Sequence, residues 1–528
     1  MPVVLISVYD KTGLSRFATA LVAKGWNILA SGGTARAIAA AGLPVKDVSE
    51  YTHSPEILGG RVKTLHPAIH GGILSRGSDA DKAELAHIGG SEIDMVVCNL
   101  YPFEKTITKE GVSEADCVEE IDIGGIALLR AAAKNYARVA VVCDPSDYDR
   151  IATELGAEGS VSVAVRKELA LKAFQLCTHY DLTIATWLDP ESSASLLGFS
   201  GQRLRYGENP HQKGWFYADA PGSGPLGGRV LQGKELSYNN ILDLDAAWRA
   251  VAGFSGPAAV VVKHLSPCGV ASLPGSVDNG ASVASALRAA IACDPLSAFG
   301  GVIAVNRPFD ADCVRALCET FIECVAAPSF SDEARELLAK RKNLRLLEMG
   351  PYGIARARLP AYEIRSTLGG FLRQEIDQEI SHEIDQGLAE AAEWKVVSHR
   401  RPTDAELAAL RFAWQACIAA KSNAIVLAAA IDPLRPEEGF ATVGIGSGQP
   451  NRVDSTRIAI TRAGPRAQGA VLASDAFFPF PDSVEVAAAA GITAIAQSGG
   501  SIRDKESIAA ADSAGIAMVL TGIRHFRH

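Results

Sequence analysis

Lys263 and His264 form the most informative pair in the sequence, because they follow an apolar run that indicates a buried strand. The run extends from Ala258 to Val261, and Pro267 and Gly269 mark the turn beyond the pair. A histidine at a strand end can transfer a proton while a neighbouring cation stabilises developing negative charge. The alternative is a solvated strand end with a surface lysine and a surface histidine, and this segment alone does not separate the two.

Two glycine-containing turns in the first part of the chain are candidate phosphate sites. The segment 31–34, Ser-Gly-Gly-Thr, follows a predicted strand and opens a helix whose free N–H groups would bind an anion, although an ordinary Ser or Thr helix cap is the simpler interpretation. Arg61 and Lys63 alternate within 59–67, which predicts an extended segment with both cations on one face. Such a face suits a phosphorylated substrate, and a solvated basic loop is the competing interpretation.

Three more side chains stand beside predicted strands and helices of the same part. Tyr101 follows the predicted strand 95–100, Asp122 precedes a glycine pair, and Lys134 closes the predicted helix 126–134. Taken singly, Tyr101 suggests an ordinary packing residue, Asp122 a helix cap, and Lys134 a cation in favourable contact with the helix dipole. Taken together with the cations and glycine pairs, they predict a phosphosugar or nucleotide site.

The second part of the chain has polar motifs at predicted strand ends. The segment 204–212 offers Arg205 as a bidentate phosphate ligand, and 237–240 adds two side-chain amides. The segment 444–449 follows a strand but lacks the spacing of a dinucleotide-binding loop. The segment 474–482 is rich in aromatic residues in a chain with only 6% of them, which predicts a pocket wall, although core packing explains each phenylalanine singly.

Composition limits the classes of protein that fit. The chain has 528 residues, of which 48% are hydrophobic, and its length suggests about three domains of ordinary size. Its net charge of −9 argues against binding to nucleic acid or to a membrane surface, because both need a basic surface. We also find no 18-residue apolar segment and no signal-peptide pattern.

The ten cysteines include no CxxC pair and no Cys/His cluster with zinc spacing. This usage predicts no zinc site. Most of the cysteines lie in apolar runs, as buried free thiols do, so we expect a reducing, cytoplasmic compartment.

The order of elements predicts an α/β fold. Strands at 3–8, 26–30, 95–100 and 139–143 alternate with helices, which is typical of a doubly wound parallel sheet. The proline-containing segment 189–195 indicates a linker, and we place the main boundary near 190–200. Beyond it, strands and helices alternate again, with a helix expected at 310–324 and a charged, helix-rich middle near 330–400.

The motifs, taken in order, closely resemble the family of bifunctional purine biosynthesis proteins. That family joins an IMP cyclohydrolase to a 5-aminoimidazole-4-carboxamide ribotide (AICAR) formyltransferase. The matching motifs, which run through the whole chain, are 7–13, SGGT at 31–34, GGRVKTLHP at 59–67, CNLYPF at 98–103, IDIGG at 121–125, RAAAKN at 130–135, LRYGENPHQ at 204–212, KHLSPCG at 263–269, KSNAIV at 421–426, GIGSGQ at 444–449 and SDAFFPF at 474–480.

The resemblance implies the fold and the division of labour. Residues 1–195 would form a doubly wound cyclohydrolase domain similar to methylglyoxal synthase. Residues 200–528 would form the formyltransferase as two cytidine-deaminase-like α/β lobes, with their boundary at roughly 330–400. The chain would transfer a formyl group from 10-formyltetrahydrofolate to AICAR, giving the formylated ribotide FAICAR, and then close FAICAR to IMP.

The resemblance also implies roles for residues of the formyltransferase. His264 would be the general base and acid, while Lys263 would orient it and stabilise the oxyanion with help from Asn423. Pro481 stands beside Asp482 where some relatives have an arginine. The implied substrate-binding residues are Arg205, Tyr206, Asn239, Asp294, Gln449, Phe477, Asp482 and Arg524.

For the cyclohydrolase, the resemblance implies one catalytic set and one nucleotide-binding set, and it leaves open which group is the acid and which the base. The implied catalytic residues are Lys63, Tyr101, Asp122 and Lys134. The implied binding residues are Lys11, Ser31, Gly33, Thr34, Arg61 and Thr64.

The expected partners are the small molecules AICAR, FAICAR, IMP and the folate, with no nucleic acid and no membrane. The resemblance also implies catalysis without a metal. The resemblance further implies a homodimer with the formyltransferase site at the interface. Two rival functions remain: a nucleotide sensor would not need all four catalytic residues of the first part, and a zinc deaminase would need HxE with PCxxC, which the sequence lacks.

Overall fold

The computed structural model describes residues 1–156, 159–189, 199–218, 223–275, 283–351, 360, 362–377 and 394–528. The chain divides into two units, Met1–Leu197 and Gly198–His528. Of the predicted linker 189–195, only Asp189 belongs to the described residues. This division into units does not show which unit carries which activity, so the assignment of one activity to each unit stays a prediction.

A five-stranded parallel sheet forms the centre of the first unit. Its strands are β1 (Val3–Val8), β2 (Asn27–Ala30), β3 (Lys46–Asp47), β4 (Met95–Asn99) and β5 (Ala140–Val142). The helices around it are α1 (Leu14–Ala23), α2 (Gly32–Ala40), α3 (Val48–Thr52), α4 (Pro67–Leu74), α5 (Asp79–His87), α6 (Phe103–Ile107), α7 (Glu114–Glu119), α8 (Ile123–Lys134), α9 (Tyr148–Glu154) and α10 (Val163–Leu188).

The strand order of this sheet is β3-β2-β1-β4-β5, and all its neighbouring strands are parallel. The inner strands β1 and β4 are almost wholly buried, which explains their continuous apolar runs. The order reverses between β1 and β4, and ligands of such sheets bind in the crevice at that point, beyond the carboxyl ends of the strands. The expected doubly wound fold of this unit is confirmed.

The second unit contains a twelve-stranded sheet and two small hairpins. Its strands are β6 (Phe199–Arg203), β7 (Trp215–Ala218), β8 (Arg229–Gln232), β9 (Ala258–Lys263), β10 (Ser266–Ser272), β11 (Gly301–Val305), β12 (Ile322–Ala327), β13 (Arg345–Glu348), β14 (Tyr362–Thr367), β15 (Gly370–Glu375), β16 (Lys395–Val396), β17 (Ile425–Ala430), β18 (Phe440–Gly446), β19 (Val471–Ser474), β20 (Ala494–Gln497) and β21 (Ala517–Leu520). Its helices are α11 (Tyr238–Ala252), α12 (Ala284–Cys293), α13 (Pro295–Ala298), α14 (Ala311–Ala316), α15 (Asp332–Leu338), α16 (Asp404–Ile418), α17 (Arg452–Ala463), α18 (Asp482–Ala489) and α19 (Asp504–Ser513).

The large sheet consists of two lobes with the same element order. In each lobe, a helix precedes an antiparallel strand pair, and a second helix then leads to three parallel strands separated by helices. The lobes join where β10 pairs with β18. The strand order is β16-β21-β20-β19-β17-β18-β10-β9-β11-β12-β13-β8. The two-lobed α/β architecture agrees with expectation, while its likeness to cytidine deaminase stays a prediction.

Helices cover both faces of this sheet. The first helices of the two lobes, α11 and α16, pack on the same face of the sheet. Together with strands of both lobes they form one continuous hydrophobic core. The other helices pack on the opposite face in two separate cores, one for each lobe. Among the described helices, none is long and apolar enough to cross a membrane.

One prediction about the second unit is wrong. The helix expected at 310–324 ends at Ala316, and Cys318 adopts a positive φ of 48° before β12 begins at Ile322. The apolar run of β12 lies between two strands of the sheet, so tertiary burial outweighs helix propensity. Within the middle near 330–400, the described residues form α15 and the hairpin β14–β15, whose two-residue turn uses Gly369 at φ 81°. Residues 352–359, 361 and 378–393 lie outside the described residues, so the expected helix-rich character of this range stays a prediction.

Candidate active sites

The crevice of the first unit contains a cavity of about 640 Å³. Loops at the carboxyl ends of β1, β2 and β4 form much of its wall. Nine of the ten residues predicted for this site line the cavity: Lys11, Ser31, Gly33, Thr34, Arg61, Lys63, Thr64, Tyr101 and Asp122. Sequence positions spread over more than 110 residues are thus brought to one edge of one sheet.

The amino end of α2 forms one wall of this cavity. Ser31 occupies the N-cap position, but its side chain makes no capping hydrogen bond, so the ordinary cap considered above does not form. Thr34 is buried, and its hydroxyl exchanges hydrogen bonds of 3.1 Å with the backbone of Val8. A Cβ atom on Gly33 would lie 3.9 Å from Lys11 Nζ. The helix end, the Ser31 hydroxyl and this ammonium group together suit a phosphate.

The cations of the 59–67 segment reach the cavity in a different way from the one predicted. Arg61 is helical (φ −63°, ψ −25°) and not extended, because the positive φ angles of Leu58 and Gly59 fold the chain into a tight turn. Arg61 forms an ion pair with Glu119, with Nε 3.2 Å from Oε1. Lys63 Nζ lies 3.5 Å from the carboxylate of Glu56.

Glu56 and Glu119 were missed by the sequence reasoning, because neither stands beside a recognisable turn or strand end. Their contacts hold the two cations of the cavity in place. Both pairs are at least partly exposed to solvent, so each contributes little to stability. A phosphate group would therefore compete with these carboxylates for the same cations at modest cost.

Tyr101 and Asp122 are the two predicted proton-transfer groups that line this cavity. Asp122 caps α8 by accepting a 2.6 Å hydrogen bond from the Gly125 N–H, so the predicted capping role is also present. Burial raises the pKa of Asp122, although the Gly125 N–H opposes that change. Burial and then the charge of Asp122 raise the pKa of Tyr101. The phenol therefore keeps its proton at neutral pH and is able to donate a hydrogen bond.

Lys134 lies away from the rest of this set. It is the last residue of α8, whereas Asp122 caps the first turn. Twelve residues at 1.5 Å each separate the two backbones by about 18 Å. The Lys134 side chain is exposed and does not line the cavity.

The second predicted site lies along one edge of the twelve-stranded sheet. The strand registers pair Lys263 with Ser266, Ile425 with Gly446 and Ile425 with Ser474. The ends of β9, β18 and β19 and the starts of β10 and β17 therefore meet at this edge. The loops that carry most of the predicted formyl-transfer residues begin or end there.

The turn between β9 and β10 places His264 in an unusual conformation. His264 and Leu265 have positive φ angles of 55° and 64°, which are uncommon for residues other than glycine. Asp243, on α11, holds this turn by accepting hydrogen bonds from both N–H groups, at 3.3 and 2.7 Å. Asp243 was missed by the sequence reasoning, because nothing in the sequence shows that its helix packs beside β9.

Lys263 and Asn423 lie at the same edge but on different strands. Lys263 Nζ donates a 2.7 Å hydrogen bond to the carbonyl of Phe299, so the lysine is not a free surface cation. Asn423 precedes β17, which is three strands from β9 and hence about 14 Å away. Its amide donates to the Gln449 carbonyl at 2.9 Å. A substrate between Lys263 and Asn423 would have to span this distance.

A buried ion pair fixes the position of Asn423. Arg452, at the start of α17, donates to Asn423 Oδ1 at 2.7 Å and to Ser474 Oγ at 2.8 Å. Its guanidinium group also pairs with Asp475, and the two charged side chains are 5% and 0% exposed. Asn451 caps α17, a helix start that the sequence reasoning overlooked after 444–449.

The predicted ribotide-binding residues are exposed or half-buried. Arg205 donates to the Tyr206 hydroxyl at 2.8 Å and stacks over its ring. Asn239, at the start of α11, donates to the Glu208 carbonyl at 3.2 Å and so ties the 204–212 loop to the helix that holds the His264 turn. Arg524 stacks over Phe526 near the C-terminal residue.

The residues predicted for the folate side differ from one another in burial and in their contacts. Phe477 is half-buried and follows β19, and Asp482 opens α18. Asp294 caps α13 and pairs with Arg462, so its carboxylate already has structural partners. The neighbouring Phe478 is fully buried in the core, which matches the packing alternative for that ring.

Comparison with known proteins covers both units. A model of the AICARFT/IMPCHase bienzyme family matches residues 132–462, and a model of the MGS-like domain matches residues 13–127. Proteins named bifunctional purine biosynthesis protein PurH are 51% identical in Sorangium cellulosum, 48% in Nostoc punctiforme and 49% in Myxococcus xanthus, each covering 99% of both chains. The chain belongs to the AICARFT/IMPCHase bienzyme family.

Membership of the AICARFT/IMPCHase family confirms the resemblance read from the sequence. The protein is an enzyme with two activities of purine biosynthesis, AICAR formyltransferase and IMP cyclohydrolase, which carry out the last two steps to IMP. The formyltransferases of this family use a folate cosubstrate. The MGS-like match agrees with the parallel sheet of the first unit.

Within the described ranges, no group of three or more His, Cys, Asp or Glu side chains is arranged to hold a metal ion. The expectation of metal-free catalysis stays a prediction. The family assignment, and not this observation, sets aside the zinc deaminase and nucleotide-sensor alternatives.

Replacing Asp243 with alanine is expected to impair the formyltransferase of this AICARFT/IMPCHase member through the His264 turn. Two backbone N–H groups would lose their acceptor in a turn that is already strained. We expect the free energy of unfolding of the second unit to fall by about 1–3 kcal/mol and formyl transfer to fall at least tenfold. Chemical denaturation and a formyl-transfer assay measure the two effects.

Asp245→Ala is the matched control for Asp243→Ala. Asp245 lies two residues further along α11 and forms an ion pair with Arg249 one turn away, which should contribute less than about 1 kcal/mol. Equal losses of formyl transfer in the two variants would show that Asp243 has no special role at the turn.

Proposed function

We propose that the two activities use two separate sites, one in each unit of the chain. Ring closure would take place in the 640 Å³ cavity of the first unit, and formyl transfer at the sheet edge of the second. The single observation that carries the first assignment is the convergence of nine predicted residues on one cavity. The shared edge of β9, β17, β18 and β19 supports the second.

In the cyclohydrolase, the amino end of α2, Lys11 and Arg61 would bind the phosphate of FAICAR. Tyr101 would donate a hydrogen bond to the formyl oxygen while the carboxamide nitrogen attacks the formyl carbon. Asp122 and Lys63 would then carry the protons needed to release that oxygen as water. The position of the Tyr101 phenol in the wall of the cavity, together with Asp122 and Lys63, supports its role as the donor.

Lys134 remains a predicted catalytic residue on the resemblance alone. Its place at the far end of α8 gives it no support from the geometry of the cavity. Loss of ring closure in Lys134→Met with a normal thermal midpoint would support the role, and unchanged ring closure would remove it.

In the formyltransferase, His264 would take the proton from the AICAR amine as its nitrogen attacks the formyl carbon. His264 would then return a proton to N10 of the folate as the bond between N10 and the formyl carbon breaks, which releases tetrahydrofolate and FAICAR. Lys263 would stabilise the oxyanion that forms on the formyl oxygen, and Asn423 would assist. Arg205, Tyr206, Asn239 and Arg524 would bind the ribotide. Phe477, Asp482, Gln449 and Asp294 would lie on the folate side. The formyl donor would be 10-formyltetrahydrofolate, and no metal would take part.

The active form would be a cytoplasmic homodimer with the formyltransferase site at the interface. The separation of about 14 Å between the strands of Lys263 and Asn423 supports this arrangement, because a second chain could complete a site that one chain leaves wide. Sedimentation that gives twice the chain mass would support it. A fully active monomer would contradict it.

Tyr101→Phe tests the assignment of ring closure to the first unit. We expect FAICAR closure to fall by about 10²-fold or more, because the phenol is lost as a proton donor. Formyl transfer from 10-formyltetrahydrofolate to AICAR should stay within about twofold of wild type, so FAICAR should accumulate in the coupled assay. Chromatography of FAICAR and IMP measures both steps in one reaction.

Tyr9→Phe is the matched control, since the ring of Tyr9 lines the same cavity and contacts the ring of Tyr101 edge-on at 5.4 Å. Its hydroxyl has no assigned role, so we expect nearly normal closure. If Tyr101→Phe closes FAICAR as fast as Tyr9→Phe, the proposed donor is wrong. If wild type performs neither step, both site assignments fail.

A further inference from the structure

A second cavity, of about 290 Å³, lies in the second unit, and none of the residues predicted for either site lines it. Its wall includes the end of α11, the end of β10 and residues of α16. Ser272 lies in this wall and pairs with Ala258. Along β10, Ser272 is six residues from Ser266, which pairs with Lys263 at the other end of the strand. That part of the cavity is thus about 20 Å from the proposed formyl-transfer chemistry.

Aromatic rings dominate the cavity wall. Trp394 and Trp414 lie edge to face with ring centroids 6.0 Å apart, and Phe412 lies 5.7 Å from Phe254 and 6.1 Å from Phe440. Aromatic walls of this kind favour flat, apolar ligands that stack or meet the rings edge-on. The volume is close to the lower end of the range for small-molecule sites.

Two buried polar atoms of the wall have no hydrogen-bond partner among the described residues. His525 is only 2% exposed, and its Nδ1 lies 2.5 Å from an Asp377 oxygen, while its Nε2 is unpartnered. Gln415 Oε1 is likewise buried and unpartnered. Most buried polar atoms in folded proteins are paired, so two such atoms in the wall of one apolar cavity point to a ligand.

The two atoms also define the chemistry of the ligand. If His525 donates its Nδ1–H to the Asp377 carboxylate, the neutral ring presents Nε2 as an acceptor. Gln415 Oε1 is an acceptor as well, so both atoms call for N–H donors and disfavour a phosphate or a carboxylate. The charged residues of the wall, Arg411 and Glu437, are both exposed and of opposite sign.

We propose that this cavity is a binding site for a flat heteroaromatic amine of one or two rings. Its N–H groups donate to His525 Nε2 and Gln415 Oε1, and its rings contact Trp414 and Phe412. None of the residues predicted for AICAR, FAICAR or folate lines this cavity, and the proposal does not depend on the residue roles given above. The His525 end lies nearer to the formyl-transfer edge than the Ser272 end, because the His525 N–H donates a 2.9 Å hydrogen bond to the carbonyl of Asp475, the residue after β19. Because His525 adjoins Arg524, a bound ligand contacts the segment that carries a predicted ribotide-binding residue.

The probe for this site is 5-aminoindole, which has an N–H donor on each ring. Its matched analogue is 1-methyl-5-(dimethylamino)indole, which keeps the two rings and lacks both donors. Titration calorimetry with the full-length protein should give a dissociation constant below about 1 mM for 5-aminoindole, as fits a ligand of ten heavy atoms. The methylated analogue should bind at least tenfold more weakly.

Gln415→Met and His525→Phe remove one acceptor each and keep the approximate volume of the side chain. Each should weaken 5-aminoindole binding at least fivefold, whereas His264→Ala, at a residue that does not line the cavity, should leave it unchanged. Equal binding of the two indoles, equal binding by the double variant, or no saturable binding up to 1 mM would each overturn the proposal. If a variant fails to fold, the comparison of the two indoles on wild type still decides.

Discussion

His264→Ala should lose formyl transfer by about 10²–10⁴-fold and keep ring closure within about twofold of wild type. The amine of AICAR is a weak nucleophile, because its lone pair conjugates with a ring that carries a carboxamide. It therefore depends on a base placed at the attacking nitrogen. Paired assays, one supplying AICAR with 10-formyltetrahydrofolate and one supplying FAICAR, measure the two steps separately.

The control for this prediction is His399→Ala, which removes an exposed histidine of the same unit whose ring faces Asp512 at 3.4 Å. Both activities should survive that change. If His264→Ala retains formyl transfer, the general base is another group. If it loses both activities while its thermal midpoint is normal, the two sites are not independent.

Comparison of Asp243→Ala with His264→Ala distinguishes displacement of the imidazole from its removal. Asp243 touches only the backbone of the turn, so its loss moves the imidazole without removing it. Asp243→Ala should keep the pH dependence of the residual formyl transfer, whereas His264→Ala should abolish the part due to the imidazole. The pH profile therefore separates a positioning residue from the base itself.

Local sequence patterns predicted the first unit better than the second. The apolar runs of β1 and β4 are buried on both sides, and such strands are visible as continuous runs in the sequence. The run of β12 is also largely apolar, but it follows directly on a helical pattern, and only its pairing with β11 and β13 identifies it as a strand. Long-range pairing of this kind leaves no periodic signal in the sequence.

The site residues show the same limit. Motifs found Lys63, Tyr101 and Asp122 because they stand beside glycines and strand ends, where close approach of a ligand leaves a local pattern. They did not find Asp243 or Arg452, whose contacts depend on how α11 and α17 pack against the sheet. Residues that support a site from a neighbouring element become recognisable only once the fold is known.

Asp475→Ala is expected to destabilise the second lobe by about 3–5 kcal/mol, because it leaves the buried guanidinium of Arg452 without a countercharge. Arg452 also holds Asn423 and Ser474, so formyl transfer should fall with stability. Hydrogen exchange of the β17 and β19 amides measures the opening free energy of this region directly, without assuming that the whole chain unfolds in one step.

The double variant Arg452→Met with Asp475→Leu separates charge from packing. Removing both charges avoids an uncompensated buried ion, so the double variant should be less destabilised than the sum of the single variants. The control is the exposed ion pair of Arg457 and Asp454, also on α17, in which a guanidinium nitrogen lies 2.9 Å from a carboxylate oxygen. Its removal should lower the free energy of unfolding by less than about 1 kcal/mol. Additive losses in the buried pair would mean that the guanidinium finds water or another partner when Asp475 is absent. In that case the position of Asn423 would depend on packing and not on the ion pair.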